Sequence, residues 1–241
     1  MEGPSLHLLA EELQPFVEKK IIKVAGNAHF EKDVLNGQTI KELYAFGKRL
    51  IIQLDTHAII THFLMYGSYR VDIPKPAAMP RFALATRAHS LFLYNCSTKC
   101  VHDSNLKKSL PLTFDILSPA WDSNAVIKAI QNHPTATIDD ILLDQNIFAG
   151  VGNIIKNEVL FMSNVPPQKK VKQLSLKKLK EIASNARTFS QNFLEWRKIF
   201  QLKKHLKIYR KKECPECSRP VLRKKTGLRN RWSFYCPRCQ K

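Results

Sequence analysis

Two Cys-x-x-Cys pairs, Cys214-Pro-Glu-Cys217 and Cys236-Pro-Arg-Cys239, constrain this chain more than any other stretch. The 18 residues between them fall within the spacing of zinc ribbons. Each pair offers two thiolates from one tight turn. Four thiolates close a tetrahedron around one structural Zn2+ and leave no open position for catalysis. The spacing therefore predicts a zinc-held β-hairpin over residues 206–241. Two redox-active pairs are the other reading of such a pattern, but those usually sit beside a βαβ unit, and none is legible here. Arg223, Lys224, Lys225, Arg229 and Arg231 lie between the pairs, so the hairpin would carry a dense positive charge. Arg231, next to Trp232, is placed to reach a phosphate or a groove.

The positive charge extends over the whole chain. Lys and Arg number 39 against 20 acids, a formal charge of +19. Such an excess favours a polyanionic partner, because every phosphate neutralised releases counterions. At 241 residues and 44% hydrophobic, the chain is a globular protein with a real core, not a disordered basic tail. No stretch approaches the roughly 20 apolar residues of a membrane span. Glu2 stands where a signal peptide would carry basic residues. Six cysteines without such a signal argue against a disulfide scaffold and for a reducing compartment. The expectation is a cytoplasmic, nucleoid-associated protein of bacterial type. It would act as a monomer on double-stranded DNA, without a membrane partner. Cys96, Cys100 and His102 are expected in a loop after a strand, with no fourth ligand to make a second metal site.

The chain opens on Gly3-Pro4-Ser5, a helix start with proline where the backbone N–H is unpaired anyway. Leu6, Leu9, Leu13, Phe16 and Val17 follow at helical period, and Pro15 should shorten or kink that helix. Short strands are predicted at 21–24, 40–45, 49–54, 59–64, 69–72, 82–86 and 91–94. Asn36-Gly37, Gly47, Asp55, Gly67 and Pro74 separate them as turns. Many short strands at this spacing suggest a sandwich or barrel-like domain. The pattern dissolves around 104–121, and Ser118-Pro119 reads as a linker. Helices are predicted after it at 123–131, 138–143, 154–162 and 175–196, the last with Ser175 as N-cap. Three domains follow: 1–117, 118–205 and 206–241. The class is α+β: an N-terminal helix and β-sandwich, then a helical domain with a C-terminal zinc-finger hairpin.

Between the second and third of those helices lies Ala149-Gly150-Val151-Gly152-Asn153. Two glycines flanking one residue permit a backbone that other residues resist. Asn153 would sit at a helix N-terminus, where free N–H groups favour an anion. A plain helix–helix connection is the simpler reading of the turn alone; beside a basic hairpin it becomes a phosphate clamp.

Taken in order, these stretches resemble the formamidopyrimidine-DNA glycosylase and endonuclease VIII family of base-excision repair enzymes. The resemblance runs over nearly the whole chain. It is carried by Glu2-Gly3-Pro4, Gly47-Lys48-Arg49-Leu50, Thr61-His62-Phe63-Leu64-Met65-Tyr66-Gly67, the stretch 143–158, and Arg231 ahead of Cys236-Pro-Arg-Cys239-Gln240. The Met65-Tyr66-Gly67 turn and the Glu2-Gly3-Pro4 start look closer to the endonuclease VIII branch. The family implies a helix-two-turn-helix in the second domain, with DNA in the cleft between domains. It casts Glu2 as the catalytic acid that protonates or steers the opening sugar. Lys48, His62, Asn153 and Arg231 would hold phosphates around the lesion. Leu64, Met65 and Tyr66 would fill the gap left by the flipped nucleotide, a role that needs apolar, stackable side chains.

The departure is at the nucleophile. Family members usually expose an N-terminal proline, and here Met1 stands directly before Glu2. Its α-amine is primary, with a reference pKa of about 7.7–8.0. An uncharged primary amine forms Schiff bases, as lysine does elsewhere. The resemblance thus implies a bifunctional glycosylase and AP lyase cutting by β/δ elimination, with Met1, Glu2 and Lys48 as its catalytic residues. The short segment between Trp196 and Tyr209 favours oxidised pyrimidines as substrate. The alternative is a non-catalytic lesion- or DNA-binding protein on the same scaffold, its nucleophile lost.

Overall fold

The computed structural model describes all residues, Met1–Lys241, as two compact units. One holds Met1 and 5–110; the other holds 2–4 and 111–241. No helix is long and apolar enough to cross a membrane.

The first helix, α1 (Gly3–Glu12), buries Leu6, Leu9 and Ala10. It stops short of Pro15, and a single 3-10 turn, Gln14–Phe16, follows. Gln14 Nε2 donates to Ala10 O at 2.8 Å, satisfying a carbonyl left open at the helix end.

In the first unit, six strands form one antiparallel sheet: β1 (Lys23–Ala25), β2 (Ile40–Phe46), β3 (Arg49–Leu54), β4 (His57–Val71), β5 (Phe82–Ala85) and β6 (Ser90–His102). Their order is β1-β5-β6-β4-β3-β2. The strands expected at 59–64 and 69–72 are one 15-residue strand, and Gly67 is not a turn between them. Register shifts between Phe63↔Cys96 and Ser68↔Tyr94, so Leu64–Gly67 bulge out against Asn95 alone. Tyr66 and Asn95 both take positive φ there, 63° and 48°. Bulges bend strands. Leu50, Ile52 and Ile59 from one side of the bulge share a cluster with Phe82, Leu84, Leu91 and Leu93 from the other. Both parts of the sheet thus share one core with α1's apolar stripe, and the N-terminal domain is built on a single six-stranded sheet.

β6 also runs well past the expected Tyr94. Cys96, Cys100 and His102 lie within it, not in a loop. Cys96 and Thr98 face inward while Ser97 and Lys99 face out; small polar side chains hid that alternation.

The second unit packs α2 (Ser123–Gln131), α3 (Ile138–Leu143), α4 (Asn153–Met162), α5 (Leu176–Lys198) and the short α6 (Leu202–His205) around one core. Ile116, ahead of Ser118-Pro119, already belongs to that core. Asp122 caps α2 by accepting from Asn124 N at 2.8 Å and Ala125 N at 3.2 Å. Ser175 caps α5 by accepting from Lys178 N at 3.2 Å. The chain ends in a hairpin, β7 (Leu222–Thr226) and β8 (Arg231–Tyr235).

A candidate nucleic-acid site around Glu2 and the cysteine hairpin

Glu2 belongs to the helical unit. Gly3 N donates to Gly150 O at 2.8 Å and ties the chain start to the Gly-Val-Gly-Asn turn. The Glu2 carboxylate then accepts from Ile154 N at 2.7 Å and Ile155 N at 3.3 Å. The free amides of a helix start do hold an anion here, as expected. That anion is Glu2, so this chain's own carboxylate occupies the Ile154 and Ile155 amides. A Cβ at Gly152 would overlap the Glu2 carboxylate, so only glycine admits this approach.

Asn153, half-buried at the head of α4, donates from Nδ2 to Trp232 O at 3.0 Å. Asn157 Oδ1 accepts from Phe234 N at 2.7 Å, and Lys156 Nζ donates to Ser233 Oγ at 2.7 Å. One face of α4 thus covers the free edge of β8. At the hairpin tip, the Asp140 carboxylate accepts from Leu228 N at 2.8 Å and Arg229 N at 3.2 Å. At its base, Glu158 accepts from Lys207, Ile208 and Tyr209 N at 2.8, 3.0 and 2.7 Å. Arg231 is exposed at the start of β8. Arg223 stacks 4.0 Å from the centroid of the half-exposed Trp232 ring.

The four sulfurs of Cys214, Cys217, Cys236 and Cys239 lie within 4.8 Å of one another. Cys214 Sγ is 3.8 Å from Cys239 Sγ, and Cys217 Sγ is 3.5 Å from Cys236 Sγ. Sulfurs at the corners of a tetrahedron with Zn–S of about 2.3 Å stand about 3.8 Å apart, so the set fits zinc. Phe161, Ile208 and Phe234 back it with a small apolar core. No second group of this kind exists. Cys96 and Cys100 stand four strand residues apart, about 13 Å, too far to share a metal.

In the sheet unit, Lys48 follows Gly47 in the β2–β3 turn. Gly47 takes φ 54°, a conformation glycine adopts without strain. His62 Nδ1 lies 2.9 Å from Lys48 O, so these two expected site residues are neighbours. The bulge presents Leu64, Met65 and Tyr66 at 48%, 67% and 89% exposure. They are not a buried strand end. Asn95 Nδ2 pins the bulge by donating to Met65 O. Met1 is partly exposed.

Sequence reasoning missed a cavity of about 650 Å3 in the helical unit. Ile154 and Tyr209 line it with four cations, Arg197, Lys203, Arg210 and Lys211. Ile154 links it to Glu2: its amide holds the carboxylate, and the same residue lines the cavity. Lys156, Asn157 and the Asp139-Asp140 pair were missed too. Their one signal is polar residues on short, otherwise apolar helices.

The helical unit carries a helix-held acid and a basic cysteine hairpin, the charge footprint of a nucleic-acid-binding protein. Comparison with known proteins narrows the class. Residues 2–100 match the model of the formamidopyrimidine-DNA glycosylase N-terminal domain, and 112–200 match that of the formamidopyrimidine-DNA glycosylase H2TH domain. The chain belongs to the formamidopyrimidine-DNA glycosylase and endonuclease VIII family of base-excision repair DNA glycosylases. It is 27% identical to Endonuclease 8-like L720 of Acanthamoeba polyphaga mimivirus, over 100% of this chain and 99% of that protein. It is 29% identical to Endonuclease 8-like 3 of Mus musculus over 86% of this chain, but spans only 36% of that relative's length. The fold is shared with a viral DNA glycosylase at TM-score 0.87, with 24% identity and full coverage of both chains. It is shared too with Lactococcus lactis formamidopyrimidine-DNA glycosylase bound to AP-site DNA, at TM-score 0.86, 21% identity and full coverage of both chains.

Proposed function

We propose that this protein excises oxidised bases, pyrimidines in preference, from double-stranded DNA and cuts the strand at the resulting abasic site. The observation that carries the reading is the Glu2 carboxylate fixed on the first amides of α4. Two N–H groups at a helix start fix the position and orientation of the carboxylate, as an acid that acts on a bound sugar requires.

The steps follow from the residues. The uncharged α-amine of Met1 attacks C1′ of the damaged nucleotide; a bond from nitrogen to C1′ forms. The glycosidic bond breaks, and the base leaves with its electron pair and takes up a proton. Glu2 takes the proton that the alkylated amine sheds and passes it to the ring oxygen as the C1′–O4′ bond breaks, leaving a protonated imine between the protein and C1′. The imine acidifies the C2′ protons. Loss of one expels the 3′ phosphate, and a second elimination expels the 5′ phosphate. Lys48, His62, Asn153 and Arg231 hold phosphates around the lesion. Leu64, Met65 and Tyr66 fill the space of the extruded nucleotide; their exposure on the bulge supports this. The four-cysteine cluster would hold one Zn2+ as a structural clamp on the hairpin, its coordination closed by thiolates.

Glu2→Gln tests the reading. Base release from an oxidised-pyrimidine duplex in single turnover should fall by about 10²–10⁴-fold, with lesion binding retained. Undiminished release would remove Glu2 from the mechanism.

A further inference from the structure

One carbonyl oxygen on β8 holds more donors than it has lone pairs. Trp232 O accepts from Asn153 Nδ2 at 3.0 Å, Asn157 Nδ2 at 3.3 Å and Lys156 Nζ at 3.4 Å. A carbonyl oxygen offers two lone pairs, so one of the three donors is in excess. All three come from one face of α4, at positions i, i+3 and i+4.

The three differ in what else holds them. Asn157 also accepts from Phe234 N at 2.7 Å and donates to Asn153 O at 2.7 Å. Lys156 also donates to Ser233 Oγ at 2.7 Å; that oxygen meets Thr226 Oγ1, whose hydroxyl donates to Asp139. Lys156 is fully buried, and breaking such a chain strands a charge. Asn153 has no such second anchor. Its Oδ1 is buried with no hydrogen-bond partner. Asn153 is therefore the donor whose departure costs least: two donors stay on the carbonyl, and the amide leaves a position where half of it is unsatisfied.

We propose that Lys156 is a positioning residue for DNA binding: by holding the Trp232 carbonyl it frees the Asn153 amide to turn to a backbone phosphate. The proposal rests on the reading of Asn153 as a phosphate contact. Lys156 itself touches no DNA in this account.

The test is the affinity of four proteins for a duplex carrying a non-cleavable abasic analogue, measured across salt concentrations. They are wild type, Asn153→Ala, Lys156→Met and the double variant. Each single substitution should weaken binding about tenfold, and Asn153→Ala should add less than about twofold to Lys156→Met. The salt dependence of Lys156→Met should match wild type, because that slope counts cations at phosphates and Asn153 is neutral. Wild-type affinity in Lys156→Met, or a full Asn153→Ala loss on top of it, overturns the proposal. So does a flattened salt slope, which would mean that the hairpin and Arg231 have come loose and Lys156 is merely structural. Should Lys156→Met lose the hairpin fold, Lys156→Gln decides. It keeps a donor for Trp232 O, so Asn153→Ala should retain its whole penalty there; loss of that penalty overturns the proposal. Wild-type binding by Asn153→Ala alone is a separate failure, of the phosphate reading itself, and takes the proposal with it.

Discussion

A side chain at position 152 would take the space that the Glu2 carboxylate fills. The backbone there is ordinary, φ −119° and ψ −163°, so glycine is required for space and not for conformational freedom. A Cβ would overlap the carboxylate of Glu2. Gly152→Ala should push Glu2 off the α4 amides and cut single-turnover base release about 10²-fold, the scale of one lost transition-state contact. The cysteine hairpin should stay folded, and its far-UV spectrum and metal content report that. Unchanged release would show that the Glu2 position is not critical. The sequence makes a helix start legible at Gly152-Asn153 and an acid legible at Glu2. It does not pair them, because the contact joins residues 152 apart and no local pattern encodes such a distance.

Elements carry the next layer. The strand pattern of β4 is plain up to Phe63 and again from Ser68, but Leu64–Gly67 reads equally well as a turn or as a bulge. What decides between them is the unbroken pairing with β6 on both sides, a long-range fact. The consequence is an exposed apolar knuckle, and Tyr66→Ala should leave thermal stability within about 0.5 kcal/mol, as for a surface substitution. Excision from duplex DNA should fall about tenfold, while excision from single-stranded DNA, which has no partner strand to prise apart, should not. Equal losses on both substrates would contradict the wedge reading. Helix α4 hides its role differently. Lys156-Asn157-Glu158 looks like a solvated stretch, yet all three side chains are buried against the hairpin and its approach. Burial pushes the Lys156 ammonium down to about 8 from 10.5, with Asp139, Asp140 and Glu2 opposing the shift and Arg231 adding to it. A lysine whose folded pKa is depressed penalises folding below that pKa, and the penalty is relieved as pH rises from there toward 10.5. Between pH 7.5 and 10, wild type should gain on the order of 2–3 kcal/mol in stability over Lys156→Met. Paired denaturation curves at both pH values check this; a constant gap would contradict it.

At the scale of the whole molecule, much was legible because composition and spacing are global properties. The charge of +19 and the cysteine spacing need no contact map. They indicate a basic metal-held hairpin, and the four sulfurs converge as a zinc site requires. The cavity beside Ile154 was not legible. Its walls come from α4, the end of α5, α6 and the approach to the hairpin, each unremarkable alone. What joins sheet unit, helical unit and hairpin into one function is the proposed chemistry at the chain's start, where Met1 precedes the helix-held Glu2. Borohydride reduction of the protein mixed with abasic-site duplex DNA, with the adduct mapped by mass spectrometry, tests that claim most directly. The account predicts a covalent protein–DNA species carried on the α-amine of Met1. Tight binding of the same DNA with no trapped species, or an adduct on a lysine side chain instead, would contradict it.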